Sequence, residues 1–171
     1  KFHDVNYVLA LKEAEEKQSL PQEIKIKYNI GVGNNPIFKE VFSRPSTAAK
    51  ASIAAIESIA TKNTKRILNI SGGTHHGRKS QAYGFCFLND CVLSILKAIE
   101  LGFKKILYVD IDAHHCDGVQ DVFSDNHKVD IISIHEKKRW PFTGLIEDCK
   151  IKNLLNFPVS EDFTDVDMDF L

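Results

Sequence analysis

The chain has 171 residues, enough for one compact domain with a substantial core, and its 43% hydrophobic and 26% charged content is that of an ordinary soluble globular protein. With 22 basic against 23 acidic residues the formal charge is −1, which leaves no electrostatic footprint for direct nucleic-acid binding or for an anionic membrane surface. Cys86, Cys91, Cys116 and Cys149 lack C-x-x-C spacing, which argues against a zinc-finger framework; they read as reduced thiols of a cytoplasmic protein, or a nuclear one in a eukaryote. No apolar run is long enough to span a membrane. The chain starts at Lys1 and stops at Leu171 without a closing turn, so residues 1–171 are expected to be one truncated domain.

In chain order, residues 3–18 place Val5, Val8, Leu9 and Leu11 before a charged run and predict a surface helix stopped by Pro21. EIKIKYNIGVG (23–33) alternates and predicts a strand ended by Gly31 and Gly33. Asn34, Asn35, Pro36 and Pro45 mark residues 34–46 as a loop. Ser46 and Thr47 are expected to cap a helix over 47–61 with Ile53, Ile56 and Ile59 as its apolar stripe.

A strand–helix rhythm follows. RILNI (66–70) predicts a strand, Asp90 to Leu101 a helix stopped by Gly102, and KILYVDI (105–111) a second strand. A short helix near 118–124 precedes a strand over VDIISI (129–134), and NLLNFPV (153–159) predicts a fourth. Strands separated by helices imply an α/β fold, a three-layer doubly wound parallel sheet covered on both faces.

Ligands of such sheets bind beyond the carboxyl ends of the strands, and here three such ends carry titratable residues. In DIDAH, Asp112 and His114 are two apart, so on an extended segment both side chains face one way. A carboxylate with an imidazole suits Zn2+, or Fe2+ or another divalent first-row ion. A catalytic zinc takes three protein ligands and an open position, so a third donor must come from elsewhere. His75 and His76 lie on a Gly-rich loop, where imidazoles can act as general base and electrostatic helper if carboxylates such as Asp110 and Asp117 set their tautomers. Either pair alone is more often a structural accident than a site; together at successive strand ends they carry weight.

At these residues SGGTHHGRKSQAYGFCFLND, ILYVDIDAHHCDGVQDVF and ISIHE resemble the signature run of the histone deacetylase superfamily. GVGNNPIF and the residues after Trp140 are similar to the bacterial acetoin-utilisation branch. The resemblance implies an arginase/deacetylase-like fold that is partial here, and zinc-dependent removal of an acetyl group from lysine, a polyamine or another small amine. It implies Asp112 and His114 as two of three metal ligands, His76 as general base with Asp117 as partner, and His75 as electrostatic helper backed by Asp110. Gly84, Phe85 and, more loosely, Trp140 correspond to substrate-tunnel positions. Asp110, Asp112, His114, Ser133 and Ile134 correspond to a structural K+ site, and Phe123 and Val129 to carbonyl contributors of a second alkali-metal site.

The sequence also departs from that pattern. Cys116 replaces a glycine, read as a tolerated small residue rather than a redox thiol; Cys86 reads as packing; Asn34 stands where many relatives carry a rim aspartate; and WPFTG differs from the usual loop. The third metal ligand and catalytic tyrosine of the family fall beyond Leu171, so these residues alone are expected to be inactive and the longer parent active. The acidic run 161–169 reads as a surface loop leading into a helix. Two other functions compete: a non-catalytic deacetylase-like binding or regulatory module, and an arginase-type binuclear manganese hydrolase, against which the GFC and HHG contexts speak.

Overall fold

A computed structural model describes residues 2–62, 64–150 and 152–169. The chain forms two compact units, Lys1–Phe103 and Lys104–Leu171.

The first unit is built on four helices, α1 (Val5–Lys17), α2 (Gln22–Tyr28), α3 (Ser43–Ala60) and α4 (Asp90–Glu100). Asp4 caps α1 by accepting from the Asn6 and Tyr7 amides, and Gln18 in the left-handed region ends it. The apolar face differs from the expected one. Tyr7, Ala10, Leu11 and Ala14 face the core at helical spacing, whereas Val5 and Leu9 are exposed. Tyr7 decides the rotation, because its ring is fully buried and its hydroxyl donates to the Phe87 carbonyl at 2.5 Å.

Residues 23–33 do not form the expected strand. Their first part is α2, which opens after Pro21 and closes at Asn29 in the left-handed region. The alternation of Ile24, Ile26 and Tyr28 misleads: Ile24 and Tyr28, four apart, pack on the core, and Ile26 stays outside. The third helix begins at Ser43, four residues before its expected start. Pro45 is tolerated in the first turn, where its missing N–H has no helical partner. Glu15 of α1 replaces a local cap, its Oε2 accepting from the Phe42 and Ser43 amides at 2.9 and 2.8 Å. Those bonds hold the Glu15 carboxyl below the usual carboxylate range. Ile53, Ile56 and Ile59 are half-buried on α3, which packs against α4.

The expected strand 66–70 is also absent. The segment pairs with no strand among the described residues, and Ile67, Leu68 and Ile70 are exposed. Asn69 ties it to α3, donating to the Ala48 carbonyl at 3.1 Å and the Ser52 hydroxyl at 2.7 Å.

The second unit holds a parallel sheet in the order β1 (Ile106–Asp110), β2 (Val129–Glu136), β3 (Leu154–Val159), as expected within a residue or two. Helix α5 (Asp117–Phe123) links β1 to β2 and packs on β2. A short 3-10 turn (Ile146–Lys150) precedes β3. One sheet face is buried through Val129, Ile131, Ser133, His135, Leu154 and Asn156, while Leu107, Val109 and Leu155 on the other are exposed in this chain. Residues 161–164 lead into α6 (Asp165–Met168), an exposed turn held by a Thr164–Asp167 capping box.

Candidate functional site

In the first unit the SGGTHH loop is shaped by one buried carboxylate. Asp90 opens α4, and its Oδ1 accepts from the Thr74 amide at 2.8 Å, the Thr74 hydroxyl at 2.6 Å and the Gly73 amide at 3.0 Å. Its Oδ2 accepts from the Ser52 hydroxyl at 2.6 Å. A Cβ on Gly72 would run into that same Oδ2, so the glycine is needed for close approach. Asn89, the N-cap of α4, accepts from the Val92 amide and donates through Nδ2 to the His75 and Gly77 carbonyls, both at 3.0 Å. His3 in turn accepts the Asn89 amide at 3.0 Å, and burial lowers its pKa to about 4.

The product of this scaffold is a pair of buried imidazoles. His75 and His76 are 5% and 4% exposed, with ring centroids 4.0 Å apart. Asn89 and Asp90 were not singled out in the sequence; the signal that could have found them is an N-cap Asn-Asp opening a strongly apolar helix.

Gly84 and Phe85 form the centre of a tight turn, both with positive φ, closed by paired bonds between Tyr83 and Cys86. Phe85 is thereby pushed outward, two-thirds exposed, and its amide donates to Oδ1 of the buried Asn35 at 3.0 Å. Phe85 lines a cleft of about 510 Å³ with Phe38, Thr74 and Phe87. Asn34 is exposed, and Asn35 beside it holds the turn.

In the second unit Asp110, Asp112 and His114 follow one another off the end of β1. Asp110 accepts the Tyr108 hydroxyl at 2.5 Å and the Asp112 amide at 3.0 Å. Asp112 Oδ1 lies 2.9 Å from His114 Nδ1, so the DIDAH spacing does put both side chains together. A carboxylate oxygen and a ring nitrogen side by side fit a divalent ion of zinc type. Among the described residues no group of three or more His, Cys, Asp or Glu is placed to hold a metal.

Asp117 is buried at the start of α5, accepting the Gly118 amide at 2.8 Å. Of the residues matched to potassium, Asp110 and Ser133 are register partners on β1 and β2, and Ile134 follows Ser133. Cys116 is fully buried at φ −77°, a backbone open to any residue, and burial pushes its thiol up to about 12, with Asp110 adding. Both facts support packing over redox sensitivity.

Behind His114 sits a second pair of imidazoles. His135 Nε2–H donates to the Gly144 carbonyl at 2.9 Å, leaving Nδ1 to accept from Ser133. Gln120 Oε1 accepts from Asn156 and, at 2.8 Å, from His115 Nε2–H, so His115 Nδ1 accepts from the Thr143 hydroxyl at 2.9 Å. Burial lowers the pKa of both rings. They seat the loop that carries Trp140, whose ring lies 6.0 Å from that of His114.

Residues 1–170 match the histone deacetylase domain. The HDAC homolog from Aquifex aeolicus superposes with a TM-score of 0.92 at 38% identity, covering 99% of this chain and 47% of that one; the HDAC homolog complexed with SAHA superposes equally well. Histone deacetylase 8 of Xenopus tropicalis is 36% identical over 149 residues, 86% of this chain and 40% of that protein. The acetoin utilization protein AcuC of Bacillus subtilis is 34% identical over 142 residues, 83% of this chain and 36% of that protein. The parallel sheet with polar loops off its strands is thus of the arginase/deacetylase-like class. The chain belongs to the histone deacetylase family, and it spans less than half the length of these relatives.

Proposed function

We propose that this chain is part of the catalytic domain of a zinc-dependent deacetylase that hydrolyses an acetyl-amine amide, on acetyl-lysine, an acetylpolyamine or a similar small amine. The observation that carries the reading is the buried His75–His76 pair, held by Asn89 and Asp90, in a chain whose Asp112 and His114 are also paired. Asp112 and His114 are the residues that hold the ion, with a third donor supplied from outside the described residues. A divalent ion so bound supplies Lewis acidity, which polarises a carbonyl and lowers the pKa of water from ~16 toward ~7.

His76 takes the proton of the attacking water, with Asp117 as its carboxylate partner, and His75, backed by Asp110, stabilises developing charge. Gly84, Phe85 and Trp140 contact the acyl-amine chain. Phe85 is suited to this by the strained turn that holds it outward, since apolar walls bind a methylene chain without competing for the reacting amide.

Asp110, Asp112, His114, Ser133 and Ile134 hold a structural K+ through side-chain and carbonyl oxygens. The pairing of Asp110 with Ser133 in the sheet register supports that assignment. Among the described residues no disulfide joins the four cysteines, which suits a reducing compartment such as the cytoplasm. The 171 residues alone bind zinc weakly and are inactive, two ligands being too few for a catalytic site. Zinc-dependent acetate release by the complete domain tests the reading; binding of acetylated peptide without release would favour the regulatory module.

A further inference from the structure

Between α5 and β2 the chain turns through residues 124–128, and three carbonyls of this turn and the two residues that flank it converge on one side chain. Asn153, the residue before β3, approaches the oxygens of Phe123, Asn126 and Val129 with Nδ2 at 3.1, 3.2 and 2.7 Å. Carbonyl oxygens only accept, so the amide's nitrogen and not its oxygen faces them, and one of its two protons is shared. A fourth carbonyl of the turn, that of His127, accepts from Lys105 Nζ at 2.9 Å, and the same ammonium holds Asp130 at 2.7 Å.

Phe123 and Val129 are the two residues expected to lend carbonyls to a second alkali-metal ion. A ring of carbonyl oxygens attracts a cation because it replaces the ion's hydration shell. Here the same oxygens already face amide protons at hydrogen-bonding distance, which leaves no room for an ion among them. The expected group and the observed side chain exclude each other.

We infer that Asn153 takes the place of the second alkali-metal ion, so that the carbonyls of Phe123, Asn126 and Val129 bind no monovalent cation in this protein. A free ion stabilises a fold by an amount that rises with the logarithm of its concentration above Kd, whereas a tethered amide is always present. The turn that leads into β2 is therefore closed independently of K+ supply, with Lys105 serving the His127 carbonyl and the Ile106 amide that of Lys128.

The test compares the protein with its Asn153→Asp variant in choline chloride and in KCl at equal ionic strength, reading thermal midpoints. A carboxylate has nearly the shape of the amide but presents only acceptors to three acceptors, and so creates a site that needs a cation. The midpoint of the variant is expected to rise by roughly 4 °C or more beyond any rise of the unsubstituted protein when K+ replaces choline. Equal rises would overturn the inference. Should the variant not fold in either salt, anomalous scattering from crystals of the unsubstituted protein in Rb+ decides: no peak among the three carbonyls is expected, and a peak there with the Asn153 amide turned away overturns it. Neither readout depends on catalysis.

Discussion

Asp112 Oδ1 stands 2.9 Å from His114 Nδ1 and also accepts the His114 amide at 2.7 Å, so one oxygen fixes both the backbone and the ring of its neighbour. Replacing Asp112 by Ala removes a proposed ligand and takes from the ring of the other the oxygen that lies beside its Nδ1. Zinc affinity of the complete domain should fall by at least about 100-fold, measured by chelator competition. Unchanged affinity would remove this pair as the metal centre.

Asp90 supports the imidazole loop from below. Asp90→Ala leaves the donors of Gly73, Thr74 and Ser52 without their acceptor, at a cost on the order of 3 kcal/mol. Urea unfolding should report that loss. Hydrogen exchange should show the amides of residues 72–77 opening ahead of α1.

His3 gives the fold an acid-sensitive contact. Its pKa is lowered to about 4 in the folded protein against an ordinary 6.5, so between these values the unfolded chain binds a proton that the folded one refuses. Stability is thus complete above pH 6.5 and declines as the pH falls toward 4, by at most about 3 kcal/mol from this group. Thermal midpoints of the protein and of His3→Gln between pH 7 and 5 should converge on acidification. Parallel curves would show that His3 does not carry the effect.

The loop bearing Trp140 is seated on His115 and His135. Thr143→Val keeps the shape of the side chain but removes the hydroxyl that His115 accepts. Trypsin should then cut at Lys137, Lys138 or Arg139 about fivefold faster, the effect of one neutral hydrogen bond, and Thr143→Ser should restore resistance. A Cβ on Gly144 would meet His115 at 2.5 Å and His135 Nε2 at 2.6 Å, so Gly144→Ala should loosen the loop further.

The pairing of Asp112 with His114 was more legible in the sequence than the fold of the first hundred residues was. DIDAH betrays itself because strand periodicity fixes where side chains two apart point, and β1 to β3 are apolar runs that found partners. RILNI is an equally apolar run, but a strand exists only where a second backbone offers a ladder, and periodicity says nothing of that. EIKIK alternates like a strand, yet the same residues place Ile24 and Tyr28 on one helical face, and packing on the α1 core chose between the two. Glu15, Asn89 and Asn153 act on partners far along the chain or on backbone carbonyls, contacts that no local spacing announces.

The central claim is tested most directly by acetate release from an acetyl-lysine peptide and an acetylpolyamine by the complete domain, with and without zinc, alongside His76→Ala. The account predicts zinc-dependent release from the unsubstituted protein and a loss of about 10²–10⁴ in rate in the variant, with its metal content retained. Full activity of His76→Ala, or no acetate from the zinc-loaded domain, would contradict it.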